Sequence, residues 1–306
     1  MNAADWRLEF IRKTPGQHLF DEPLAAHTTF RVGGPADLFA RPENTDALAE
    51  AVAFLSSEGI RFIVIGGGSN LLFSDNAFRG AVLRAPSKTA DGNNICIEGT
   101  KVIAAAGVSL QRLVTTTAAA GLSGLEKLAG IPGSAGGALF MNAGAFGRAI
   151  SDSVVNVTFC SPDKGRQTLS RDELGFEYRK SAFQNAPEMT ILEAAFDLNE
   201  SWDKELLAII KDIITERRAK QPPWTPCAGS FFKNPPGTEP AGRLIDKLGL
   251  KGASVGGAKV SEHHANFIVN TGGATCADIL ALSQIITRRV MDTCGVALER
   301  EVRLVV

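Results

Sequence analysis

Apolar residues recur at helical spacing in several stretches with start and stop signals. Leu48, Val52 and Leu55 form a stripe between Asn44-Thr45 and Gly59, which predicts a capped helix. Leu110–Ala120, closed by Gly121, predicts another. Leu206, Leu207, Ile210, Ile213 and Ile214 keep the same period from Lys204 to Gln221, where Pro222-Pro223 ends the run. A short helix is expected near Ala241–Leu248, and a long one after the Thr275-x-x-Asp278 capping box, stopped by Gly295. Alternation predicts strands at Arg61–Ile65, 94–98 and 101–106 around a Gly99-Thr100 hairpin turn, Val154–Cys160 and Met189–Leu198. It also predicts a closing strand, Val296–Val306, with Glu299, Glu301, Arg303 and Val305 on one face. Helices and strands mix without a regular βαβ period, so the class is α+β. A first domain is expected over 1–199, in two subdomains split near 85–95, and a second over 200–306.

The length of 306 residues accommodates two such domains, and 44% hydrophobic with 21% charged residues is a globular balance. No apolar run reaches membrane-span length, and Met1–Arg7 lacks a signal-peptide pattern, so a cytoplasmic location is expected. A net charge of −1 speaks against a nucleic-acid partner, and nothing points to an obligate protein partner. Cys96, Cys160, Cys227, Cys276 and Cys294 are scattered without a Cys-x-x-Cys pair and read as reduced thiols.

Residues 131–147 hold five glycines and four alanines in seventeen positions. So bare a stretch lets backbone N–H groups approach a ligand, and a short helix starting after Ser134 would add its own free amides for a phosphate. Gly66-Gly67-Gly68-Ser69-Asn70, after the apolar run Phe62–Ile65, repeats the offer. Two such loops suggest a diphosphate held from two sides. Leu71 stands where a Rossmann fingerprint needs its third glycine, and no Gly-Lys-Ser/Thr is present, so a different scaffold is required.

Candidate chemistry is sparse elsewhere. Tyr178-Arg179-Lys180-Ser181 holds the sole tyrosine and reads as a surface turn. Gly229-Ser230-Phe231-Phe232-Lys233-Asn234-Pro235 either points a hydroxyl into a half-dry pocket or is a packed turn; no Gly-x-Ser-x-Gly elbow surrounds Ser230. His263-His264 has the wrong spacing for a metal pair, and Glu301 with Arg303 is either a solvated pair or a proton-handling and anion-binding couple.

Taken in order, Thr28–Ala36, Ile65–Leu72, Gly130–Gly147, Tyr178-Arg179, Gly229–Pro235, Arg243–Asp246, His264–Asn270 and Glu301-Val302-Arg303 resemble the UDP-N-acetylenolpyruvoylglucosamine reductase family over nearly everything from Thr28 onward. The resemblance implies a PCMH-type (vanillyl-alcohol-oxidase-like) FAD-binding domain with a smaller α+β C-terminal substrate-binding domain. It further implies noncovalent FAD, NADPH as hydride donor, and UDP-N-acetylglucosamine enolpyruvate as substrate, reduced to UDP-N-acetylmuramate for peptidoglycan precursor synthesis.

Residue by residue, the resemblance places FAD on Gly66, Gly67, Gly68, Ser69 and Asn70, on Pro132, Gly133, Ser134 and Gly137, and on Asn142, Gly144 and Ala145. Arg179 and Glu301 would support the enolate-like charge, and Ser230 would protonate the carbon beside the carboxylate. Tyr178, Lys220, Asn234, His264 and Arg303 would contact substrate. The short interval from Arg179 to Lys220 and the single tyrosine fit the shorter subclass, which lacks the tyrosine-bearing loop over the diphosphate. An FAD-dependent oxidase on the same fold and a non-catalytic UDP-sugar sensor are the competing readings.

Overall fold

A computed structural model describes residues 5–186, 188–201, 205–223 and 225–306. Lys204 and Trp224, which the sequence reading places at a helix start and a loop start, lie outside them, as do Met1 to Ala4. Two compact units make up the chain: Met1–Glu22, Ala36–Gly67 and Arg79–Thr215 form the first, and Pro23–Pro35, Gly68–Phe78 and Glu216–Val306 the second.

The first unit carries two larger sheets. A four-stranded sheet runs in the order Gly16–Pro23, Pro35–Pro42, Phe78–Arg84, Phe62–Ile65, its last pair parallel. Helix Thr45–Ser57 covers it, and Leu48, Val52 and Leu55 are buried with Leu38 and Leu83 as the stripe requires. Asn44 Oδ1 accepts the Ala47 N–H at 2.9 Å, and Gly59 takes a φ of 64° at the other end. The second sheet is antiparallel throughout, in the order Gly165–Ser170, Val154–Ser161, Thr190–Asp197, Lys101–Ala105, Ile95–Glu98. Glu98 pairs with Lys101 across the Gly99-Thr100 turn, as the alternation predicts. Against this sheet pack helix Leu110–Ala119, the short helix Ala135–Phe140 and the first turns of helix Leu206–Lys220.

The second unit is built around helix Cys276–Cys294, whose Thr275/Asp278 capping box and Gly295 stop form as expected. The Asp75 carboxylate also accepts the Cys276 and Ala277 N–H groups, at 2.7 and 3.1 Å. A small antiparallel sheet, Ser254–Val255, Ala258–Val260 and Ile268–Asn270, and helix Ala241–Lys247 share an apolar cluster with Phe231, Phe232, Ile245, Ile279 and Ile286.

Two expectations need correction. The closing strand spans only Arg303–Val305, paired in parallel with Leu71–Phe73, and a bend at Val302 precedes it. Before the bend the backbone bonds a loop: Lys233 N–H donates to Glu299 O and Glu301 N–H to Phe231 O. A single cut at 199 also fails to divide the chain, because Leu71–Phe73 pairs with Arg303–Val305 and Asp75 accepts from Cys276 and Ala277 within the second unit.

Candidate active site

In the first unit the two glycine loops lie against each other. A Cβ on Gly66 would stand 2.2 Å from Ser134 Oγ, and one on Gly67 would stand 2.8 Å from the Gly133 Cα, so both positions must be bare for the loops to meet. Gly133 itself has a φ of 123°. Arg84, from the strand beside Phe62–Ile65, donates to the Gly66 carbonyl; burial, with Arg41 adding to it, lowers its guanidinium pKa.

The short helix Ala135–Phe140 forms, but its first amides are not the free ones. Ala135 N–H donates to Val108 O, Gly136 N–H to Ala106 O and Gly137 N–H to the Ser134 hydroxyl. Among the described residues the N–H groups of Gly67, Gly68 and Gly133 donate to no protein group. Donors for an anion therefore sit in the loops. Gly137 differs from Gly66 and Gly67: a Cβ there would meet only Ser134 Oγ, at 3.4 Å. Bare loops with unspent amides suit the diphosphate of FAD, which needs donors and close backbone approach.

Arg179 sits at the tip of a tight turn closed by reciprocal backbone bonds between Glu177 and Lys180. Its φ is 56°, a conformation a side-chain-bearing residue rarely adopts. The turn is held from several sides. Gln184 Nε2 donates to both the Arg179 and Phe140 carbonyls, at 3.0 and 2.9 Å, and the Ser181 hydroxyl donates to Phe140 O at 2.7 Å. Asn142 Nδ2 donates to Glu177 O at 2.8 Å, and Arg179 Nη2 donates to Gly144 O at 3.1 Å. The guanidinium lies 5.1 Å from the exposed Tyr178 ring. Asn142, Gly144 and Ala145 thus adjoin the Arg179 turn, with Ala145 pairing with Arg148 across a small hairpin.

In the second unit, Gly68 has a φ of 68° and leaves no room for a Cβ beside the His27 carbonyl. Ser69 and Asn70 follow it. Asn70 Nδ2 donates to the Glu301 carbonyl at 3.1 Å, and Arg303 N–H returns a bond to Asn70 O at 3.0 Å. Ser230 follows Gly229, whose φ is 77°, and precedes the buried Phe231 and Phe232. Because Glu301 N–H donates to Phe231 O at 2.8 Å, the Ser230 and Glu301 segments run side by side.

The remaining candidates are more dispersed. Asn234 Oδ1 accepts the Ala241 N–H at 3.1 Å and so caps helix Ala241–Lys247. His264 Nδ1 accepts the Asn266 N–H at 3.2 Å, which puts the ring proton of the neutral imidazole on Nε2. Its ring lies 4.8 Å from Phe267, and burial pushes its pKa down. Lys220 ends helix Leu206–Lys220, mostly exposed and paired with Glu216 at 2.5 Å. Arg303 is exposed, at the start of the Arg303–Val305 strand. Sequence reasoning gave no role to Arg84, Gln184 or Asn266; none has a spacing signal, since each acts through hydrogen bonds to backbone groups outside its own element.

Comparison with known proteins accounts for both units. Residues 36–169 match the model for an FAD binding domain, and residues 221–305 match the model for the C-terminal domain of UDP-N-acetylenolpyruvoylglucosamine reductase. The reductase of that name from Caldanaerobacter subterraneus is 41% identical over 95% of this chain and 94% of its own, and that from Geobacter metallireducens is 44% identical over the same shares. The crystal structure of the Thermus caldophilus enzyme superimposes with a TM-score of 0.77 at 35% identity, covering 95% of this chain and 98% of that one. With an α+β fold and an FAD-binding domain, the chain belongs to the UDP-N-acetylenolpyruvoylglucosamine reductase family of oxidoreductases.

Proposed function

We propose that this protein reduces UDP-N-acetylglucosamine enolpyruvate to UDP-N-acetylmuramate in the cytoplasm, with NADPH as hydride donor and noncovalent FAD as carrier. The observation that carries the reading is the pair of apposed glycine loops with unspent amides, on a chain of this family. Gly66–Asn70 and Pro132–Gly137 would hold the FAD diphosphate, with Asn142, Gly144 and Ala145 as the residues for its flavin. When bound, FAD would supply two-electron hydride chemistry between NADPH and the terminal methylene carbon of the enolpyruvyl group. Negative charge then spreads over the adjacent carbon and its carboxylate, where fixed cationic and hydrogen-bonding groups lower the barrier.

Arg179 supplies the cation, and its turn, clamped by Gln184 and Ser181, is preorganised for that duty. Glu301 serves the same charge as a hydrogen-bond donor in its protonated form. The Ser230 hydroxyl delivers the proton to the carbon beside the carboxylate. Tyr178, Lys220, Asn234, His264 and Arg303 bind the UDP sugar, with Lys220 and Arg303 as the cations for its diphosphate.

The test separates the two half-reactions by anaerobic stopped flow. NADPH should bleach the flavin of wild type and Ser230→Ala alike, whereas reoxidation of the prereduced variant by UDP-N-acetylglucosamine enolpyruvate should slow by about 10²–10⁴-fold, the usual worth of a general acid. Wild-type reoxidation of Ser230→Ala removes the serine from the mechanism. Turnover with oxygen and none with the enolpyruvyl sugar would identify an oxidase instead.

A further inference from the structure

The segments that carry Ser230 and Glu301 are tied together at Phe231-Phe232, and those two residues are held by Asn266. Asn266 is 3% exposed. Its Oδ1 accepts the Phe232 N–H at 3.0 Å, its Nδ2 donates to Phe232 O at 2.8 Å, and its main-chain O accepts the Phe231 N–H at 2.7 Å. Three bonds from one residue thus fix the two positions that follow Ser230. On the opposite edge, Phe231 O accepts the Glu301 N–H at 2.8 Å, and Phe232 bridges to Arg300. The segment 231–232 behaves as a central strand with Glu301 on one edge and, on the other, a side-chain amide in place of a neighbouring strand. Only Asn or Gln offers a coplanar acceptor and donor like a peptide group, and the short arm of Asn sets the reach.

We propose that Asn266 is a positioning residue: its amide clamp on Phe232 sets where the Ser230 hydroxyl and, through Phe231, the Glu301 carboxyl stand during substrate protonation. This rests on the roles given to Ser230 and Glu301 above. The clamp satisfies a buried N–H and a buried C=O at once, so deleting it frees both to move and leaves both unpaired. A displacement of about 1 Å at a reacting group can cost on the order of 100-fold in rate. Because the N–H of Asn266 donates to His264 Nδ1, the same residue also fixes that imidazole's tautomer.

A double-mutant cycle tests the proposal on the FAD-loaded enzyme. Asn266→Ala should slow reoxidation by UDP-N-acetylglucosamine enolpyruvate by about 10- to 100-fold, with flavin content and reduction by NADPH as controls that stay near wild type. In the Ser230→Ala background the same change should cost clearly less, because the share of its effect that runs through the serine is gone and only the share through Glu301 remains. Asn266→Asp keeps the shape, loses the donor to Phe232 O, and should recover reoxidation rate as pH falls and its carboxyl regains a proton. Hydrogen exchange on the apo protein should show lost protection at the Phe232 amide in Asn266→Ala.

Full additivity of Asn266→Ala with Ser230→Ala overturns the inference, as does equal slowing of both half-reactions. If Asn266→Ala fails to fold, the Asn266→Asp pH profile decides: a rise towards acid supports the clamp, and a profile parallel to wild type overturns it. Fast reoxidation of Ser230→Ala alone would instead strike at the role of the serine, a distinguishable outcome.

Discussion

Gly67 and Gly133 approach so closely that a Cβ on the first would stand 2.8 Å from the Cα of the second, whereas a Cβ on Gly137 would meet only Ser134 Oγ at 3.4 Å. The glycines of the two loops therefore have different reasons for being glycine, and substitution separates them. Gly67→Val should lower the melting temperature of the apo protein and abolish FAD retention, since the loops can no longer meet. Gly137→Ala adds a good helix former within Ala135–Phe140 and should raise apo stability by up to about 1 kcal/mol, yet weaken FAD binding. Thermal melts of apo protein with flavin titration check both, and wild-type FAD affinity in Gly137→Ala would move the diphosphate away from that face.

Arg179 combines a left-handed backbone with a functional side chain, and the two properties can be pulled apart. Asn and Gly tolerate a φ of 56°, whereas a β-branched residue does not. Arg179→Asn and Arg179→Gly should keep the melting temperature close to wild type, and Arg179→Val should lose roughly 1–3 kcal/mol. All three should lose turnover alike, as steady-state assays beside thermal melts will register. Retained turnover in Arg179→Asn would show that the guanidinium is not needed.

Lys220 and Glu216 form an exposed i,i+4 pair, 69% and 46% accessible, so the pair contributes only about 0.3–0.5 kcal/mol to folding. Lys220→Ala should therefore leave stability almost unchanged while raising KM for the UDP sugar more than it lowers kcat, because a diphosphate contact is felt in ground and transition states alike. An unchanged KM with collapsed kcat would assign Lys220 to the chemistry.

His264 gives stability a pH dependence with a definite sign. Burial is the main cause of its lowered pKa, and Lys251 acts in the same direction against the Asp246 carboxylate. As pH falls through 6.5, the ordinary imidazole value, the unfolded chain takes up a proton that the native ring still refuses, so stability is present above that pH and drops on acidification towards the lower native value. His264→Asn keeps an acceptor for the Asn266 N–H and removes the titration. Melts between pH 7.5 and 5 should show a shallower decline in this variant, with part retained through His18, whose pKa burial also lowers. An identical decline would exclude His264 as a contributor.

Local structure was legible wherever the signal was local. The Asn44 cap, the Gly99-Thr100 turn and the Thr275/Asp278 box each bind residues within a few positions, and each formed as read. The candidate loops were legible for the same reason, since glycine density is visible without knowing a partner. The reason for the density at Gly66 and Gly67 was not, because it is the other loop. Likewise Val296–Val306 alternates like a strand, but only Arg303–Val305 finds a strand to pair with, at Leu71–Phe73. Asn266 and Gln184 went unassigned because a side-chain amide leaves no periodic trace; its meaning lies in the backbone groups it reaches.

The parallel pairing of Leu71–Phe73 with Arg303–Val305 sets an order of events on the ribosome. Asn70 and Glu301, which bond at its edge, are 231 positions apart. At about 5–20 residues per second, roughly 10–50 s pass between the synthesis of one and the other. Throughout that interval the Leu71–Phe73 backbone and the Asp75 carboxylate lack the partners they bond in the finished fold, Arg303–Val305 and the start of helix Cys276–Cys294. The second unit thus cannot close until its last strand is made, so its assembly is a late step, and the early segment that waits for that strand has unpaired backbone open to other chains in the meantime.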